Sequence, residues 1–324
     1  MARIGVVIGV LVAALVSSGS ALGAQLIDRN ATRVVLEVST KGGGEAMLVY
    51  HAGGKLKHVL VWGAINAQPP TTSMPQAKFK VDYAGGWGKY HTLYWKHFVN
   101  QCQKYDGPAL PNIVTECKAP DGSYWAVQQW PQAMPDLGFA PWTPALSAKW
   151  MEVSHWTGPV ASLTANTDWV YSGRFQELFG TYMYAGRPVY GFGTTSVGAP
   201  TDNYGRLIYL DTYNAAAYGA GWRRENSFVP HNPTGVWCYG FYTFDPTKGG
   251  YIHPPGQTGV RGPGIGERYR LIAAGPGVTP NVELDVPAFH AFDAKNPSDV
   301  SYQQEQTALL QSLGDKSCMA GHHS

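Results

Sequence analysis

Three carboxylates, Asp168, Asp211 and Glu225, sit among aromatic residues in the stretch 167–244. Two acids facing each other across a groove are enough for glycoside hydrolysis, ~5–5.5 Å apart for retention or ~6.5–9.5 Å for inversion. Burial against rings raises a carboxyl pKa toward that of a general acid. A structural role competes with this chemistry, because the same acids can hold turns and pair with Arg174, Arg206, Arg223 or Arg224. Asp202 and Asn203, with Asp211 nine residues on, offer oxygen ligands for Ca2+. They lack the EF-hand order of ligands, and Asn and Asp are ordinary turn residues. The sequence therefore predicts no resident metal or other cofactor.

Aromatic platforms are the less demanding chemistry. Sugar rings lay their C–H faces on Trp and Tyr, while Arg, Asn and Asp take the hydroxyls. Phe139 and Trp142 lie in a proline-rich loop and Tyr204 in an Asp-Asn turn, while Arg223, Arg224 and Asn226 belong to the densest polar cluster of the stretch. The expectation is a non-catalytic module binding glycan or cell-envelope polymer through these residues. A polysaccharide hydrolase is the second reading, and a structural envelope or matrix protein the third.

Other chemistries are excluded by what they need. The glycine run 262–266 precedes a strand rather than opening a helix, so it presents no helix N–H groups to a phosphate. No G-x-S-x-G elbow is present. The formal net charge is +2, so nucleic acid is not expected as a partner.

The elements that must position these residues are strands. Charged residues make up 14% of the chain against ~25% in typical domains. Aromatics reach 13%, with 39 Gly and 23 Pro, a balance that suits many turns and few long helices. The predicted fold is all-β, mainly antiparallel, with one or two sandwich-like units and a few short helices. Residues 1–24 read as a signal peptide: a basic start at Arg3, an apolar centre and a small-residue exit. That apolar run is too short to span a bilayer, so the mature chain is expected outside the cell with no transmembrane span. Behind such a segment, Cys102, Cys117, Cys238 and Cys318 read as two disulfides. The turn-rich loop between Cys102 and Cys117 favours pairing those two, leaving Cys238 with Cys318.

Alternation and glycine turns predict an antiparallel meander over residues 33–62 and further strands at 78–83, 123–130, 149–156, 206–211, 235–244, 267–274 and 282–286. A hairpin is expected about residues 185–188. Helices are predicted at 90–103, where Tyr90, Tyr94, Phe98 and Cys102 share an i, i+4 line, and at 299–313. The organisation expected is an N-terminal β-rich region (25–157), a central β-rich domain (158–290) and a C-terminal helix and tail (291–324).

Overall fold

The computed structural model describes residues 24–69, 76–131, 142–143, 148–189, 207–216, 218–225, 229, 233–241, 244–245, 250–251, 265–287, 290–316 and 318–321. The fold is mostly antiparallel β. Four sheets are stacked face to face, with a helix outside one end of the stack and a long loop outside the other.

The outermost sheet is the predicted meander, β2 (Thr32–Ser39), β3 (Glu45–Ala52) and β4 (Lys55–Trp62), extended by β5 (Lys80–Asp82). Successive side chains on a strand point to opposite faces. Val38, Leu48, Tyr50, Val59 and Val61 accordingly face inward to a common core, while Glu45, Met47, His58, Leu60 and Trp62 lie on the other face. The second sheet runs in the order β1 (Gln25–Arg29), β9 (Lys149–Trp156), β7 (Tyr124–Pro131), β6 (Ile113–Lys118). Its Trp125, Val127, Met151 and Val153 close the same core.

The second sandwich has the same logic. Its inner sheet follows the order β20 (Val282–Pro287), β19 (Arg268–Ala273), β14 (Ile208–Tyr213), β15 (Trp222–Glu225), β8 (Trp142–Thr143). Its outer sheet is built on the long β12 (Phe175–Tyr184), flanked by β10 (Ser162–Leu163), β11 (Asn166–Val170), β13 (Arg187–Pro188) and β16 (Val236–Gly240). Ile208, Leu210, Tyr269 and Leu271 meet Leu178, Tyr182 and Trp237 between them. A two-stranded ribbon, β17 (Phe244–Asp245) with β18 (Gly250–Tyr251), stands apart.

The sandwiches are laced together. Val278, between β19 and β20, is buried in the first core, and its backbone bonds His155 N–H and Asn66 on that side. In return β8 pairs with β15. The helix α2 (Pro297–Ser312) is capped by Asn296, whose side chain accepts from Ser298 N–H. It covers the outer sheet by burying Leu310 against Phe179 and Val236.

Both predicted disulfides are formed, Cys102–Cys117 and Cys238–Cys318, with Cα–Cα distances of 5.5 and 5.6 Å. On the loop-closure account they contribute about 3 and roughly 4.5 kcal/mol. No described helix is long and apolar enough to cross a membrane. Residues 1–23 of the expected signal segment lie outside the described residues; its last residue, Ala24, is buried, with its N–H donating to Thr279 O.

One predicted element is corrected. Residues 90–103 are not a helix: α1 (Trp87–Tyr90) is a single turn ended by His91 in the left-handed region (φ 55), and a 3-10 turn follows at Tyr94–Lys96. The chain then runs to the β2 edge of the first sheet, where Gln101 N–H donates to Val38 O and Val38 N–H to Asn100 Oδ1. Bonds across the sheet, not local periodicity, set this path.

Candidate functional site

Residues 83–101 form a strap over the outer face of the first sheet. Met47 and Leu60, on that face, are fully buried, and burying side chains of that size contributes roughly 1.5–3 kcal/mol each. Glu45 is buried beside them and forms the keystone of the strap. Its carboxylate accepts from Lys89 Nζ (3.0 Å), Tyr90 OH (2.6 Å) and Tyr94 OH (2.6 Å). Burial, and then that hydrogen bond, push both phenols above the ordinary tyrosine range.

The entry to the strap is fixed by Asp82, whose carboxylate accepts from the backbone N–H groups of Ala84 (2.9 Å), Gly88 (2.7 Å) and Lys89 (3.2 Å). Gly85 and Gly86 have φ of 63° and 101°, and a Cβ on them would lie 2.7 Å from Trp95 and 2.4 Å from Tyr94. Glycine there lets both rings lie on the backbone, with Trp95 stacked on His58 at 3.9 Å. Held from beneath in this way, the strap leaves Trp87 54% exposed, while Tyr83, 60% exposed, turns to the other face of the sheet beside Asp28 and Lys57.

A second polar assembly lies inside the stack, where the two inner sheets face each other. Trp130 meets Tyr209 and Ile272 there. Arg224 grips Asp211 with two nitrogens (2.7 and 3.2 Å), and Arg270 adds a third bond at 2.8 Å. Burial pulls the Asp211 pKa upward, but the two guanidinium groups outweigh it and hold the carboxyl below its ordinary value. Among the described residues no cation pairs with Glu152. Burial pushes it up to about 8, against a hydrogen bond from Asn281 Nδ2 at 2.5 Å. A neutral carboxylic acid and a locked ion pair thus share one layer.

The cavity between them has a volume of about 30 Å3 and is lined by Trp130, Trp150, Glu152, Tyr209, Arg224 and Asn281. That holds a couple of waters, whereas small-molecule sites run to ~300–1,000 Å3. The layer binds the sandwiches to each other and does not admit a sugar.

The residues singled out in the sequence are dispersed. Asp211 and Arg224 face this layer, whereas Glu225, next along β15, points to the opposite face and accepts from Thr212 Oγ1 (2.6 Å) and Tyr218 OH (2.7 Å). Asp211 and Glu225 therefore do not face each other across a groove. Asp168 is buried on β11, its Oδ1 accepting from Trp169 N–H, directly opposite Glu177 on β12, a residue not singled out in the sequence. Arg223 is half-buried, with its guanidinium donating to Trp222 O. Trp142 pairs with Glu225 through β8, and nothing is described of its side chain. Phe139, Asp202, Asn203, Tyr204 and Asn226 lie outside the described residues.

Among the described residues no group of three or more His, Cys, Asp or Glu could hold a metal ion. Sequence reasoning missed Tyr83, Trp87, Glu45 and Glu152. A legible signal existed for the first two: Gly85-Gly86 between Tyr83 and Trp87 breaks any helix and favours a turn presenting rings.

No family model, curated protein or solved structure matches the chain.

Proposed function

We propose that this protein is a non-catalytic extracellular module that binds polysaccharide through the strap at residues 83–101. One observation carries the reading: Trp87 is more than half exposed on a segment whose underside is locked by a buried carboxylate. Exposed rings normally cost a protein solubility, and a preorganised platform binds with little ordering entropy to lose. The two disulfides are consistent with an oxidising, extracellular setting. The test is co-sedimentation with insoluble cell-wall polysaccharides. Wild type should pellet with at least one of them, and Trp87→Ala should stay in solution. Equal pelleting of the two proteins rejects the strap as the site.

A second reading, a polysaccharide hydrolase, is favoured by Asp168 and Glu177. Residues directly opposite on antiparallel strands have Cβ atoms ~4.5–5.5 Å apart, which brings two carboxyls within reach of the ~5–5.5 Å of a retaining pair. Both are buried, at 0% and 6% exposure, and a substrate needs an open groove, so the binding reading ranks first. Release of reducing ends by wild type, abolished in Asp168→Asn and in Glu177→Gln, would reverse that order.

A further inference from the structure

The strap also carries an unused charge pattern. Within residues 76–104 five lysines stand against one acid, Asp82, although the whole chain is only +2. Asp82 spends its carboxylate on backbone N–H groups, and Glu45 is sealed beneath the strap. The cations do not scatter. Lys80 is the register partner of Trp62; Lys89 Nζ lies 4.5 Å from the Trp62 ring and 4.8 Å from the Tyr90 ring. Lys41 Nζ lies 4.4 Å from the Tyr90 ring and 4.7 Å from the Tyr94 ring. Along the outer face the order is therefore cation, ring, cation, ring, cation, ring. Among the described residues, no carboxylate lies within ion-pair distance of Lys41 or Lys80.

We infer that the row Lys80–Trp62–Lys89–Tyr90–Lys41–Tyr94 selects an acidic polysaccharide, rings taking sugar faces and Lys41 and Lys80 taking the acid groups, while Lys89 stays bound to Glu45. This rests on the polysaccharide reading above and adds the class of polymer. Lysine is a point charge without the fork that distinguishes acids by shape, so carboxylate and phosphate are both accommodated. The apolar residues on the strap, Trp87, Leu93 and Val99, are separated by Lys89, His91, Lys96 and His97. That interleaving suits a polymer lying along the surface better than insertion into lipid.

The test is affinity electrophoresis of the full chain through gels holding polygalacturonate, dextran phosphate or plain dextran, beside flotation with phosphatidylglycerol vesicles. Retardation by polygalacturonate or dextran phosphate, exceeding that by dextran and falling as NaCl rises from about 50 to 500 mM, supports the inference, and the gel that retards more identifies the acid. Lys41→Gln/Lys80→Gln should weaken that binding about five- to tenfold, with an unchanged thermal transition showing that the fold is intact. Equal, salt-independent retardation by dextran and the acidic polymers overturns the acidic selection while leaving the polysaccharide reading standing. No retardation by any polysaccharide, with or without vesicle binding, overturns both.

Discussion

Glu45 and Glu152 occupy equivalent places in the two halves of the first sandwich. Each projects from the face of a sheet that points away from the shared core, and each is buried by something laid over that face. Glu45 lies under the strap and receives a lysine and two phenols. Glu152 lies under the second sandwich, and among the described residues its partner is one amide. The difference decides their chemistry. A carboxylate with a cation and two donors stays in an ion pair and organises charge and rings at the surface. One left with a single neutral donor is driven to its protonated form. The first arrangement builds an outward platform; the second builds a seam.

The comparison breaks most sharply at Asp211. Asp211→Ala would leave buried Arg224 and part-buried Arg270 without their shared counter-ion, at an expected cost of about 3–5 kcal/mol. Urea denaturation measures it, and a loss below about 1 kcal/mol would remove the seam from this account.

Next is Glu152→Gln. The unfolded carboxyl ionises near 4.5 and the folded one near 8. Its contribution to stability is therefore full below pH 4.5 and lost as pH rises to about 8. The neutral isostere should be more stable than wild type by roughly 2–4 kcal/mol at pH 8 and equal to it near pH 4. His155 runs the other way. Burial lowers it from 6.5 to about 4, so its contribution is present above pH 6.5 and lost as pH falls toward 4. Wild-type Tm should be flat between about pH 4.5 and 6.5 and decline from there to pH 8, whereas the Gln variant shows no alkaline decline. Thermal scans across that range check both curves.

Smaller again is Tyr94→Phe, which removes one donor from buried Glu45 and should cost about 1–2 kcal/mol. It should also loosen the strap, seen as faster amide exchange at residues 84–96. Trp87→Ala, a surface change, should move stability by no more than about 0.5 kcal/mol.

Much of the scaffold was readable in the chain. In β4, alternation correctly put Val59 and Val61 on one face and His58, Leu60 and Trp62 on the other. The cysteine pairing followed from a turn-rich loop that closes the shorter ring. The strap was misread because Tyr90, Tyr94 and Phe98 have helical spacing while the phenols of Tyr90 and Tyr94 answer to Glu45, more than forty residues upstream. Glu152 was invisible for a related reason. Alternation in β9 implies one wet face, and here both faces are covered. The carboxylates singled out instead, Asp168, Asp211 and Glu225, are buried, an outcome that composition and neighbours in sequence do not announce.

The central claim is that binding belongs to the strap and not to the seam. Titration of polygalacturonate into wild type, Trp87→Ala and Glu152→Gln, all at pH 6, tests it most directly. The account predicts that Trp87→Ala loses at least tenfold in affinity, roughly the 1.4 kcal/mol that one ring contributes, while Glu152→Gln binds as wild type does. An unchanged Kd for Trp87→Ala together with a weakened Glu152→Gln would place the site in the interior and contradict it.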